Sequence, residues 1–246
     1  MFLCETLCPL WLRFSMSVSE NISRIREQMS SAARRAGRRP EEISLMAVSK
    51  TFTPELIREA YNAGQRLFGE SRVQEFIGKA ERLRDLRDAE WHMIGHLQGN
   101  KAAKAADLFA AVDSVDSLRL ARKLNDAARE LSKKLAILIE INLGEDAKSG
   151  VDPESQHLED LLQAAPKLES LEFRGLMAIP PFSQDPEKAR PHFRRLREWQ
   201  TRIAKRKLPA VSMDMLSTGM SHDFEVAIEE GSTCVRVGTA IFGERL

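Results

Sequence analysis

Eight short apolar runs alternate with longer amphipathic stretches along this chain of 246 residues, and that alternation limits the possible folds more than any other feature. The runs are ISLMAVS, RLFGE, EWHMIGH, LFAAVDSV, LAILIEINL, EFRGLMAI, MDMLST and CVRVGTAIF. Each has strand length. Between them lie helical patterns such as TPELIREAYNAG, SLRLARKLNDAARELSKK, PESQHLEDLLQAA and EKARPHFRRLREWQTRIAKRK, several opened by Ser, Thr, Asp or Pro as helix starts require. Eight strand/helix alternations predict an α/β protein, a single (β/α)8 TIM barrel. A doubly wound sheet would also alternate, but no G-x-G-x-x-G follows the first strand, and a helical segment precedes it.

That extra N-terminal helix is SVSENISRIREQMSSAARRAG, where Ile22, Ile25 and Met29 recur on one face. Gly37 is its expected stop. The cluster Arg34, Arg35, Arg38 and Arg39 complements the negative end of the helix, with an RNA-binding patch as the alternative reading. The opening MFLCETLCPLWLRFS is apolar, but Glu5 interrupts it, no positive stretch precedes it, and it is too short to span a membrane. Residues 1–16 are therefore expected to be an N-terminal extension, with Met16 as the expected start, and residues 17–246 a single domain.

Lys and Arg number 37 against 36 Asp and Glu, so no global field draws the chain to nucleic acid or a membrane surface. Cys4, Cys8 and Cys234 are too few and too unevenly placed for a disulfide framework or a metal site. A reduced, cytoplasmic location is expected.

In a barrel, chemistry sits where strands end. The strand-end residues are Lys50, Glu70 and Ser71, His96, Asn142, Ile179, Ser217 and Gly238. Lys50 ends ISLMAVSK, where lost hydration favours the neutral, nucleophilic amine and hence Schiff-base chemistry. A strand-end lysine that merely snorkels to water is the bland alternative. The segments LSTGMSHDFEVAIEEG and CVRVGTAIFGER run from strands into small-residue loops. There Ser217, Thr218, Gly219, Ser221, Gly238 and Thr239 can bring N–H groups and hydroxyls to an anion, in the place where barrels bind phosphate. Arg236 alternates with Val235 and Val237, so it is expected to point into the mouth, with an ion pair to Glu140 as the structural alternative. An amine for an aldehyde, a cradle for a phosphate and a donor for a ring nitrogen together specify pyridoxal phosphate.

The runs AVSKTF, FGESRVQE, WHMIGHLQGNK, FRGLMAIPP, LSTGMSHDFEVAIEEGST and VRVGTAIFG resemble the pyridoxal phosphate homeostasis proteins from about Met16 to the end. The resemblance implies a barrel like that of alanine racemase, with pyridoxal phosphate held by Lys50 as an internal aldimine. It places Arg236 opposite the pyridine nitrogen. Gly238 and Thr239, with Ser217 and the following Thr218 and Gly219, would hold the phosphate, and Met177 would lie near the ring. Ser71 stands where the family has an asparagine near the cofactor, and Arg72 where it has a tyrosine.

A guanidinium donates a hydrogen bond without protonating the ring nitrogen, which leaves a weak electron sink. Racemisation also needs a second acid/base group. Tyr61 reads as a packing residue, and an additional domain, the source of that group in alanine racemase, finds no room here. His92 and His96 are the other candidates, with zinc binding as a less favoured reading; His157, His192 and His222 read as surface residues. The expected function is thus buffering and delivery of the cofactor by a monomer, with amino acids or cofactor-requiring apo-enzymes as recipients and without robust turnover. An amino-acid racemase and a cofactor-free Schiff-base aldolase are the alternatives.

Overall fold

Eight parallel strands close on themselves in sequence order, β1 (Ser44–Val48), β2 (Leu67–Glu70), β3 (Glu90–Met93), β4 (Ala111–Val115), β5 (Leu135–Glu140), β6 (Leu171–Met177), β7 (Val211–Ser217) and β8 (Cys234–Val237). The computed structural model describes residues 16–144 and 149–244. Residues 1–15 of the expected extension, with Cys4, Glu5 and Cys8, lie outside that range. Around the barrel run α2 (Pro54–Asn62), α3 (Val73–Leu83), α4 (Ala102–Leu108), α5 (Leu118–Glu130), α6 (Gln156–Ala164), α7 (Arg190–Lys205), α8 (Phe224–Glu229) and the single turn α9 (Thr239–Phe242).

The extra helix α1 (Val18–Arg35) starts with a reciprocal cap, in which Ser17 Oγ accepts from the Glu20 N–H at 3.2 Å and Glu20 accepts from the Ser17 N–H at 2.7 Å. It buries Ile22, Ile25 and Met29. Gly37, at φ +66°, ends it in the left-handed conformation. The basic cluster beyond has a structural use: Arg35 pairs with Glu225 and Glu229 on α8, and Arg38 donates to the carbonyls of Ile228 and Ser232. The arginines fasten α1 across the segment between β7 and β8.

Period-two alternation divides each strand between two environments. On β1, Leu45 and Ala47 pack outward with Ile22, Ile25 and Ile57, while Met46 and Val48 pack with Ile94 and Cys234. Val235 and Val237 join the outer layer, so Cys234 and Arg236 take the opposite parity. Several strands are shorter than their apolar runs suggest, two of them at the mouth. EWHMIGH leaves the sheet at Met93, and Gly95 crosses so close to Ser71 that a Cβ would lie 2.3 Å from the Ser71 carbonyl oxygen. CVRVGTAIF is a strand only to Val237, after which Thr239–Phe242 coil into α9.

Gly175 is where β6 approaches β7 most tightly: at φ +156°, an added Cβ would sit 1.8 Å from the Met215 carbonyl oxygen. A backbone contact cannot rotate away. Gly175→Ala is therefore expected to destabilise the barrel by about 3 kcal/mol or more, seen as a lower urea midpoint.

Candidate functional site

Lys50 sits on a tight turn that caps β1. Ser49 extends the ladder by one bond, its N–H donating to the Gly69 carbonyl at 3.0 Å, and the Phe52 N–H then closes back on the Ser49 carbonyl at 3.1 Å. Lys50 and Thr51 are the central pair, and Thr51 has φ +68°, the pattern of a type II turn. Lys50 is half-buried at this position.

On the neighbouring strand β8, which pairs with β1, Arg236 is buried with 4% exposure. Its guanidinium donates to the Ser217 carbonyl at 2.6 Å, to Ser217 Oγ at 2.9 Å and to the Ala178 carbonyl at 2.9 Å. The alternative reading, an ion pair between Arg236 and Glu140, is not what forms. Glu140 Oε1 instead accepts from Ser149 Oγ at 2.6 Å, while Oε2 has no hydrogen-bond partner among the described residues. Burial raises the Glu140 carboxyl above the usual range. Burial also pushes the Cys234 thiol up to about 12, so it stays protonated beside Arg236.

Past Arg236, three donors converge on one oxygen. Ser221 Oγ receives the Gly238 N–H at 3.3 Å, the Ala240 N–H at 3.5 Å and the Thr239 hydroxyl at 3.2 Å. Gly219 shapes the adjoining loop, since at φ +94° a Cβ would fall 2.5 Å from Ala227 Cβ. Its carbonyl accepts the Arg236 N–H at 2.9 Å. Thr218 is buried and its hydroxyl donates to the Ala178 carbonyl at 3.2 Å. Ser217 stands in register with buried Met177, which is in turn in register with Glu140.

Other strand-end residues separate. Glu70 has the outward parity of Phe68 and meets Lys79 of α3 instead of the mouth. Ser71 is half-buried under Gly95, and Arg72 is exposed. His92 is buried with Nδ1 3.0 Å from Asp113, whereas His96 is on the following loop, 59% exposed by side chain and 3.1 Å from Asp116. The two histidines thus do not share a strand face. Among the described residues no cluster of three or more metal-ligating side chains occurs. Tyr61 stacks under Arg66 at 4.0 Å and bonds Asp88 on the outer surface. Sequence reasoning missed Glu75 and Lys79; the signal was a lysine four residues after a glutamate on a helix otherwise anchored by Val73, Phe76 and Leu83.

A closed parallel barrel with a lysine after the first strand and donors converging on Ser221 after the last defines a class, and the alanine racemase N-terminal domain family matches residues 21–246. The chain belongs to the pyridoxal phosphate homeostasis proteins within that class. It is 45% identical over 231 residues to the pyridoxal phosphate homeostasis protein of Aquifex aeolicus, covering 94% of this chain and 99% of the relative. The structure of PipY from Synechococcus elongatus PCC7942 with PLP bound superposes with a TM-score of 0.82 at 37% identity, covering 92% of this chain and 100% of that one. An alanine racemase from Streptomyces coelicolor shares the fold alone, at 18% identity and TM-score 0.70, over 93% of this chain and 59% of its own.

Glu140 provides a pH test. Its folded-state value is raised above 4.5, so folding favours the protonated form and stability falls as pH climbs through that range. Glu140→Gln, which keeps an acceptor for Ser149, is expected to raise the urea midpoint at pH 8 and to leave it unchanged below pH 4.

Proposed function

We propose that this protein binds pyridoxal 5′-phosphate through Lys50 and acts in the homeostasis of that cofactor, holding and releasing it without robust turnover. The observation that carries the reading is the donor set on adjacent strand ends of one mouth. It comprises the Lys50 amine after β1, the Arg236 guanidinium on β8, and the N–H and hydroxyl groups of Gly238, Thr239 and Ala240 turned to a single oxygen. The relatives named for pyridoxal phosphate homeostasis and the PLP-bound PipY structure support it.

The donors suit the cofactor's three polar ends. When bound, the cofactor supplies an aldehyde that condenses with an amine. Lys50 is that amine. The cradle at α9 takes the phosphate, with Ser221 Oγ making way or serving as a further donor. Ser217 Oγ accepts from Arg236 and keeps its own proton to donate to the phosphate, with the backbone of Thr218 and Gly219 following it, while the Thr218 hydroxyl holds the Ala178 carbonyl. Met177 and Ser71 would line the site on the side of the ring.

Arg236 explains why holding is favoured over turnover. A guanidinium has five donors and does not give up its proton near neutral pH, so it can bond a ring nitrogen without protonating it. Carbanion stabilisation is then weak. Tyr61 is on the outer surface, and His92 is committed to Asp113. The reading therefore assigns cofactor release to incoming amines, either amino acids or apo-enzymes, with a monomer as the working unit. We place it in the cytoplasm, where a free buried thiol such as Cys234 persists.

Loaded protein mixed with amino acids in D2O is expected to lose cofactor faster as amine concentration rises, with no α-proton exchange at turnover rates by NMR. Rapid exchange with one amino acid would make it a racemase. Indifference of cofactor loss to every amine would defeat the release step.

A further inference from the structure

Beneath the turn that carries Lys50 lies a buried cluster of charge that a cofactor reading alone does not require. Lys79 on α3 is 7% exposed, and its ammonium donates to the Ser49 carbonyl at 3.0 Å, to Glu70 Oε1 at 3.1 Å and to Glu75 Oε1 at 2.7 Å. Those three bonds use all its protons. Glu70, fully buried, also accepts from Ser49 Oγ at 2.7 Å. Glu75 accepts the Thr51 N–H. Both neighbours of Lys50 in sequence are thus tied to the same three side chains.

The turn needs such ties. Thr51 is β-branched and sits at φ +68°, where a type II turn ordinarily has glycine or asparagine. A non-glycine residue in that region costs on the order of 1–3 kcal/mol and persists only when its surroundings over-determine it. The Thr51 N–H points out of the turn, and Glu75 is its acceptor. Burial pushes the Glu70 carboxyl up, whereas bonds from Lys79 and Thr51 outweigh burial at Glu75 and hold that carboxyl down. A permanently held carboxylate at Glu75 keeps the strained amide engaged.

We propose that Glu70, Glu75 and Lys79 are positioning residues, a clamp that fixes the Ser49–Phe52 turn and so aims the Lys50 amine into the barrel mouth; this rests on Lys50 being the cofactor lysine. The clamp works through the backbone on either side of Lys50. It lowers the cost of ordering the amine when the cofactor arrives.

The test compares Glu75→Ala, Glu75→Gln and Glu75→Ala combined with Thr51→Gly. Amide hydrogen exchange at residues 51 and 52 is measured in cofactor-free protein, and the pyridoxal phosphate dissociation constant is read from visible absorbance. Glu75→Ala is expected to lose protection at Thr51 and to weaken cofactor binding about tenfold. Glu75→Gln, which still accepts from Thr51, is expected to stay within about twofold of the parent, and Thr51→Gly, which removes the strain, to recover much of the loss. A purely structural role would lower the unfolding midpoint without moving the dissociation constant, and that result would overturn the proposal. Should Glu75→Ala not fold, Lys79→Met with Glu70→Gln, which removes the buried ammonium together with the fully buried carboxylate, is read by the same two measurements against the same expectation of weakened binding. If the parent itself takes up no pyridoxal phosphate on Lys50, the functional reading fails, while the exchange data still report whether the clamp holds the turn.

Discussion

A guanidinium inside a barrel cannot shed its charge, so its surroundings must supply oxygens, and Arg236 organises one side of the mouth for that reason. Its bonds go to neutral acceptors, two on Ser217 and one on Ala178, which ties the ends of β6 and β7 to β8. The Arg236 N–H reaches back to the Gly219 carbonyl, and Gly219 has the left-handed backbone that a side chain would block. From there the chain passes to Gly238 and the cradle around Ser221. The cradle and the guanidinium are therefore parts of one bonded unit, and a shift in either would move the other.

The neighbouring part of the mouth, at the ends of β1 and β2, is organised by buried charge outside the barrel wall. Glu70 leaves the strand face that looks into the lumen and joins Lys79 and Glu75 behind the Lys50 turn. Inside, His92 pairs with Asp113, while Asp113 Oδ2 and Glu140 Oε2 find no partner among the described residues. Arg236 lies within electrostatic range of both carboxylates without touching either, and its field lowers the Glu140 carboxyl against the larger effect of burial.

The fold was legible in the sequence because a closed parallel sheet imposes its period on every strand. The eight apolar runs all became strands, and the parity of Arg236 against Val235 and Val237 correctly placed it off the helix-facing layer. Parity also carries the chief error at the mouth: Glu70, grouped with Ser71 at a strand end, has the phase of Phe68 and faces α3. Strand ends were harder. His96 was counted on β3, yet the close passage of Gly95 over Ser71 turns the chain away at Met93, a tertiary contact with no local signature. The pairing of Glu75 and Lys79 with the Lys50 turn was likewise hidden, because it joins segments 24 to 30 residues apart. Ser217 and Arg236 were both named from sequence, but only coordinates reveal that they bond each other.

On this proposal Lys50, held at the end of β1, is the residue that carries pyridoxal phosphate. Borohydride reduction of the protein mixed with pyridoxal phosphate, followed by peptide mapping, tests it most directly, with Lys50→Ala alongside. The account predicts a single pyridoxyl-modified peptide containing Lys50 and no modified peptide from the variant. Modification spread over surface lysines in both proteins, or none at Lys50, would contradict it.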